Sequence, residues 1–203
     1  MERKIYNDLL KWKKTIKKPL MIYGSRQIGK TFSVLEFAKR NYKNYVYFNL
    51  ENNIDLVSLI RREKNPERLI TKLSAIAGET ILKDDTLIIL DNVNDIYVVK
   101  TIKLFATVDN SYPIIMITRR KDSLSKFKGE ELTFKAMYPM DFEEFLVNSD
   151  QKQLVAFIKD SYSNGTPMPF HQVALDLYND YLETGGYPEV IDNYLRKTDS
   201  SKL

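Results

Sequence analysis

Gly24-Ser25-Arg26-Gln27-Ile28-Gly29-Lys30-Thr31 fits the pattern G-x-x-x-x-G-K-[ST], and its flanks decide the fold. Ahead of it, Pro19-Leu20-Met21-Ile22-Tyr23 has the apolar run of a short buried strand. Behind it, Thr31 to Asn41 carries Phe32, Leu35, Phe37 and Ala38 at helical spacing. A strand, a glycine-bounded turn and a helix bring consecutive backbone N–H groups and a helix N-terminus to bear on one phosphate chain. In that arrangement Lys30 reaches the β- and γ-phosphates and the Thr31 hydroxyl ligates Mg²⁺. Gly24 through Thr31, with Phe32 next in the helix, are therefore the candidate nucleotide-binding residues.

Outward from this turn, strands and helices alternate. Residues 2–16 read as an amphipathic helix with Ile5, Leu9, Leu10, Trp12 and Ile16 on its apolar side, ended by Pro19. Tyr45-Val46-Tyr47-Phe48-Asn49-Leu50 is rich in β-formers and predicts a second strand. Residues 54–77 predict helix in two pieces around Asn65-Pro66. Thr86-Leu87-Ile88-Ile89-Leu90-Asp91 is a continuous apolar run ending in a carboxylate, as suits a central strand covered on both faces. A helix at about 95–108, a strand at Pro113 to Thr118 and a shorter one at Leu132 to Met137 follow. The alternation predicts a parallel sheet with right-handed crossovers.

From Tyr138 the pattern becomes helical. Asp141 to Leu146 begins one helix, and 150–161 and 171–183 predict two more. Gly185-Gly186-Tyr187-Pro188 stops the third with a residue at positive φ, and a short helix at 188–196 closes the series. Phe142, Phe145, Leu146 and the stripe Leu175, Leu177, Tyr178, Leu182 are expected in the core, with His171 a cap or surface residue. The expected organisation is a P-loop core over 1–138 and a small helical lid over 139–203. Neither repeats nor low-complexity tracts occur.

Composition bounds the chemistry. At 203 residues with 43% hydrophobic and 29% charged side chains, the chain is that of an ordinary globular protein. No apolar run approaches the roughly 20 residues that span a bilayer, and the N-terminus lacks a signal-peptide core, so no membrane association is expected. Zero cysteines exclude disulfides and thiolate metal sites and suit a cytoplasmic setting, while the single His171 argues against a histidine metal centre or a Ser/His/Asp triad. Hydrolysis would depend on carboxylates, Mg²⁺ and positioned water. Residues 1–43 hold 12 of the 31 Lys and Arg and three of the 27 Asp and Glu, a local charge of +9 against −5 for the remainder. Lys11, Lys13, Lys14, Lys17 and Lys18 make most of the difference. They read as a solvated helix face, or as a phosphate-seeking patch for nucleic acid or an acidic partner, although no nucleic-acid motif supports the latter.

Asp91 ends its strand about 60 residues after Lys30, where a Walker B carboxylate holds Mg²⁺ beside Thr31. In many such ATPases a glutamate follows, orienting and deprotonating the attacking water; here it is Asn92. An amide positions water but accepts no proton at neutral pH, and loss of a proton acceptor costs roughly 10²–10⁴-fold in rate. Glu51 closes the second strand at the same sheet edge and is the candidate substitute base, or else caps the segment after it. Thr118 ends the fourth strand, where a polar sensor lies near the γ-phosphate. Arg119 and Arg120 follow it, as phosphate contacts, as groups acting on a neighbouring subunit's nucleotide, or as surface charges.

Together these segments resemble the AAA+-type prokaryotic ATPases with a G-x-R-Q-x-G-K-T loop, an archaeal-ATPase-like family. The match runs through Gly24 to Thr31, Phe48-Asn49-Leu50-Glu51, Leu90-Asp91, Tyr138-Pro139-Met140-Asp141-Phe142-Glu143-Glu144-Phe145-Leu146 and Gly185-Gly186-Tyr187-Pro188-Glu189-Val190. The last two segments have no generic phosphate role and make the resemblance specific. It implies an ATP-binding αβα sandwich with strand order 5-1-4-3-2 and a helical lid. Longer members continue into a further domain, so this chain corresponds to a piece of such a protein or to a short form. Three positions depart from the family pattern: Asp91-Asn92 for Asp-Glu, Thr118-Arg119-Arg120 for Thr-Gly-Ser, and Gly129-Glu130 for Gly-Arg. All three lie around the expected γ-phosphate, so binding is expected to outlast catalysis. Arg26 and Gln27 match the family loop without an assigned individual role.

The functions these features predict are an ATP·Mg²⁺-binding domain with slow or partner-dependent hydrolysis, or a nucleotide-gated interaction protein without meaningful turnover, acting with a protein partner or as a homo-oligomer. A small-molecule phosphotransferase on the same scaffold would need an arginine-bearing lid, and the tail offers only scattered Lys152, Lys159, Arg196 and Lys197. ATP is favoured over GTP because no Asn-Lys-x-Asp guanine-reading motif is present.

Overall fold

Burial on both faces accounts for the continuous apolar character of the central strands. In the computed structural model, which describes residues 1–15, 18–106, 112–119 and 131–200, five strands form one parallel sheet: β1 (Leu20–Tyr23), β2 (Asn44–Asn49), β3 (Thr86–Asp91), β4 (Ile114–Thr118) and β5 (Thr133–Ala136). Their order is β2-β3-β4-β1-β5, the expected 5-1-4-3-2 seen from the other edge. Ile16, Lys17, Arg120, Gly129 and Glu130 lie outside the described residues.

Parallel neighbours need crossovers. These run through α2 (Lys30–Asn41), through α3 (Ile54–Arg62) with α4 (Pro66–Ala77), and through α5 (Ile96–Lys103) with a 3₁₀ turn at Leu104–Ala106. One sheet face sets Val46, Phe48, Ile88, Leu90, Ile114 and Met116 against Leu56, Ile60, Leu69, Leu73, Val98 and Ile102 of α3, α4 and α5. Alternate residues Leu87, Ile89, Ile115 and Ile117 are buried on the other face. There α2 packs on β3 and β4, and α1 (Ile5–Thr15) packs on α2. The register sets Asn49 opposite Asp91 and Tyr23 opposite Thr118, so the C-terminal strand ends lie level along one edge.

The chain divides into two compact units: Ile5–Arg26 with Lys30–Met137, which contains the sheet, and Met1–Lys4, Gln27–Gly29 and Tyr138–Leu203. The second holds α6 (Phe142–Asn148), α7 (Lys152–Asn164), α8 (His171–Thr184) and α9 (Pro188–Ser200). Its core gathers Met140, Phe145, Leu146, Leu154, Ala174 and Ile191. Asp141 starts α6 with a complete capping box: its side chain accepts from the Glu144 backbone N–H, and Glu144 reaches back to the Asp141 N–H.

Several expectations change in detail. The break at Asn65-Pro66 is as predicted, because Asn65 Oδ1 caps α4 by accepting from the Arg68 N–H at 3.0 Å. The helix after β3 is shorter than predicted, tightening into the 3₁₀ turn after Lys103. On α8 the inward stripe is buried Ala174 with half-buried Leu177 and Tyr181, spaced three and four apart, while Leu175, Tyr178 and Leu182 are exposed, so that part of the predicted core is corrected. Phe32 is 56% exposed and stands off the apolar face of α2, which buries the expected Phe37 and Ala38 together with Val34. His171 opens α8 on the surface, as predicted.

Candidate nucleotide-binding site

Between β1 and α2 the chain turns through Gly24 to Gly29, with Gln27 and Gly29 in the left-handed region at φ 61° and 86°. Ser25, Arg26 and Gln27 are exposed, whereas Ile28 is fully buried and pins the turn. Lys30, only 7% exposed, donates to the carbonyls of Gly24 at 2.9 Å and Ser25 at 2.5 Å, so its ammonium folds back into the turn that precedes it. Burial pushes this amine below its ordinary 10.5, against the pull of Asp91.

The second feature is the carboxylate at the end of β3. Asp91 is 5% exposed and accepts three hydrogen bonds. Thr31 Oγ1 donates to Oδ2 at 2.7 Å, Tyr47 OH donates to the same oxygen at 2.9 Å, and the Asn92 N–H donates to Oδ1 at 2.7 Å. Burial, then the bond to Asp91, pushes the Tyr47 phenol up to about 12. The structure thus brings together Thr31 and Asp91, the two residues that the spacing assigned to one metal ion. They offer a hydroxyl and a carboxylate oxygen, the hard donors that Mg²⁺ prefers. Among the described residues no group of three His, Cys, Asp or Glu side chains could hold a metal alone. A cation here would draw its remaining ligands from phosphate and water, so the donor set fits Mg²⁺ bound with a nucleotide.

Asn92 takes the left-handed conformation, φ 57°, which asparagine tolerates better than most residues. Its amide nitrogen donates to Asn49 Oδ1 at 2.9 Å, and that same oxygen accepts the Glu51 N–H at 2.9 Å. The Glu51 carboxylate is held by Arg119 at 3.0 Å. Glu51 and Asn92 share the lining of a polar cleft of about 410 Å³ with Asn52, Asn94 and Asp95. Thr118 closes β4 fully buried.

Tyr47 and Asn49 escaped the sequence reading. Strand alternation puts them on the face of β2 that carries Asp91 on β3, but this is visible only once the two strands are known to pair in this register.

The fold and this cluster define a nucleotide-binding domain of the P-loop ATPase class. The chain belongs to the AAA domain family, whose sequence profile matches residues 16–146. No curated protein matches the chain. Among solved structures, it is similar to the Signal Transduction ATPase with Numerous Domains (STAND) protein with a tetratricopeptide repeat sensor from Pyrococcus horikoshii. The TM-score there is 0.55 at 16% identity, over 100% of this chain and 32% of that one. It is also similar to a Walker-type ATPase of Pyrococcus abyssi, with TM-score 0.53 at 12% identity, over 94% of this chain and 65% of that one. At these identities the likeness is one of fold. No helix among the described residues is long and apolar enough to cross a membrane.

Proposed function

We propose that this chain binds Mg·ATP in the Gly24–Thr31 loop and hydrolyses it slowly or only with a partner. The observation that carries this is the 2.7 Å bond from Thr31 to Asp91, which joins residues 60 positions apart at the C-terminal sheet edge. On this account the backbone N–H groups from Ser25 to Thr31 cradle the phosphates, Lys30 leaves its loop carbonyls for the β- and γ-oxygens, and Phe32 lies beside the nucleotide. Thr31 and Asp91 hold Mg²⁺, which neutralises phosphate charge when bound. Residues 139–203 act as the helical lid of the core at 1–138, and the absence of cysteine suits work in the cytoplasm.

Turnover is limited by the residue after Asp91. The Asn92 amide is committed to Asn49 and supplies no base. Glu51 is the candidate acceptor for the proton of an attacking water, and its pairing with Arg119 at 3.0 Å restrains it. Thr118 serves as the polar sensor. The second reading, a nucleotide-gated interaction protein without turnover, draws on the same locked amide and on a protein partner or a second copy that reads the bound state. Single-turnover hydrolysis of Mg·ATP distinguishes them. A typical turnover of about 10 s⁻¹, lowered by the roughly 10²–10⁴-fold loss of a base, gives about 10⁻³–10⁻¹ s⁻¹. Glu51→Gln should lower it further. A rate near 10 s⁻¹ that is insensitive to Glu51→Gln would overturn the assignment, and no ADP at all would favour the gated binder.

A further inference from the structure

Arg3 is an arginine outside every motif above, and its side chain is 7% exposed. Three groups take its arms: Nε donates to Glu144 Oε1 at 3.1 Å, Nη2 to the Tyr138 carbonyl at 2.8 Å, and Nη1 to the Ile28 carbonyl at 2.6 Å. The first two partners belong to the Tyr138–Leu146 segment, which had no phosphate role in the sequence. The third lies in the phosphate loop. Glu144 is itself fully engaged, because Oε1 also accepts the Lys4 N–H at 2.6 Å and Oε2 closes the α6 capping box.

An arginine that served only to fasten the N-terminus to α6 would be satisfied by Glu144 and Tyr138. The bond to Ile28 has a further effect. In a planar trans peptide the carbonyl and the next N–H point in opposite directions. Holding the Ile28 oxygen toward the guanidinium therefore turns the Gly29 N–H away from it, and a cation on the oxygen polarises that N–H into a stronger donor. Gly29 sits at φ 86°, which glycine adopts without steric cost, and Arg3 Nη1 and Pro188 Cγ, from the second motif without a phosphate role, lie 3.4 and 3.5 Å from where a Cβ would stand.

We propose that Arg3 is a positioning residue for the phosphate loop, fixing the Ile28–Gly29 peptide with its N–H presented to the bound polyphosphate and anchoring that peptide to Tyr138 and Glu144. This inference rests on the nucleotide-binding reading above. It also gives the Pro139-to-Leu146 and Gly186-to-Pro188 segments a role in nucleotide binding.

The test titrates Mg·ADP into the full chain labelled with ¹⁵N-glycine, following heat and the Gly29 amide resonance. Wild type should bind and shift that resonance. Arg3→Ala and Arg3→Lys should each weaken binding by roughly tenfold or more and reduce the Gly29 shift at saturation. Lysine keeps the charge opposite Glu144 but lacks the fork that spans three acceptors, so it would rescue a mere fastening role and should not rescue this one. Should Arg3→Ala fail to fold, Arg3→Lys carries the test alone. Lys4→Ala, which removes only exposed pairs to Asp141 and Glu143, should stay within about twofold of wild type. Wild-type affinity and an unchanged Gly29 shift in Arg3→Lys would overturn the proposal. A wild type that binds no Mg·ADP would instead overturn the nucleotide reading, and this inference with it.

Discussion

Asp91 needs each of its donors because a carboxylate 5% exposed has almost no water to turn to. Tyr47→Phe removes one of the three at constant shape, and one lost hydrogen bond of this kind costs about 1 kcal/mol. For a chain of this length the melting temperature should fall by about 2–4 °C, as differential scanning calorimetry without nucleotide would show; no change would mean that the phenol contributes nothing to holding the carboxylate. Gly186 poses a backbone problem. Its φ is 72°, and a Cβ there would stand 2.4 Å from the Met140 carbonyl oxygen, whose own N–H donates to the Gly186 carbonyl at 2.8 Å. Both groups are main chain and cannot swing aside. Gly186→Ala should therefore cost more than the 1–2 kcal/mol or so of a left-handed alanine alone, read from urea unfolding. A cost below about 0.5 kcal/mol would show that the contact relaxes freely.

Among the elements, α6 illustrates how local chemistry sets a boundary. Asp141→Ala removes one half of its capping box and should destabilise the chain by about 1 kcal/mol, measured by urea unfolding. Glu143, on the same helix, is held below the ordinary 4.5, first by its hydrogen bond to Lys159 and then by Lys4. The folded state thus binds a proton there less readily than the unfolded chain. The resulting stability is fully present above pH 4.5 and is lost as pH falls through the lowered value. Melting temperatures of Glu143→Gln should show a smaller decline below pH 4.5 than wild type; identical acid profiles would mean that the pair is fully screened.

The elements also show where the sequence was legible. β3 is a six-residue apolar run with no competing period, so strand type, burial and the position of Asp91 followed from pattern alone. Asn65-Pro66 and Gly185-Gly186 are local breakers with fixed backbone consequences and were equally plain. The face that α8 buries was not, since apolar residues nearly all round it define no single stripe, and tertiary packing chose Ala174 over Leu175. Tyr47, Asn49 and Arg3 were illegible for a different reason. Their roles depend on partners 44, 43 and 141 positions away, at Asp91, Asn92 and Glu144. Periodicity carries no information about such pairs.

For the molecule as a whole, the sheet order and the AAA domain match establish the class, and the charge excess of residues 1–43 places 12 cationic side chains in the segment that includes the phosphate loop. That excess raises the local concentration of any polyanion, yet nucleotide binding turns on one cation among the twelve, the lysine of the phosphate loop. Lys30 is buried, depressed by desolvation and hydrogen-bonded to the loop carbonyls of Gly24 and Ser25, an arrangement that gains most when anionic phosphate replaces those neutral acceptors. Calorimetric titration of Mg·ATP into wild type and Lys30→Ala tests this most directly. Wild type should give a saturable one-to-one isotherm, and Lys30→Ala should bind roughly tenfold to hundredfold more weakly. Equal affinity in the two proteins, or no heat from folded wild type with any purine triphosphate, would contradict it.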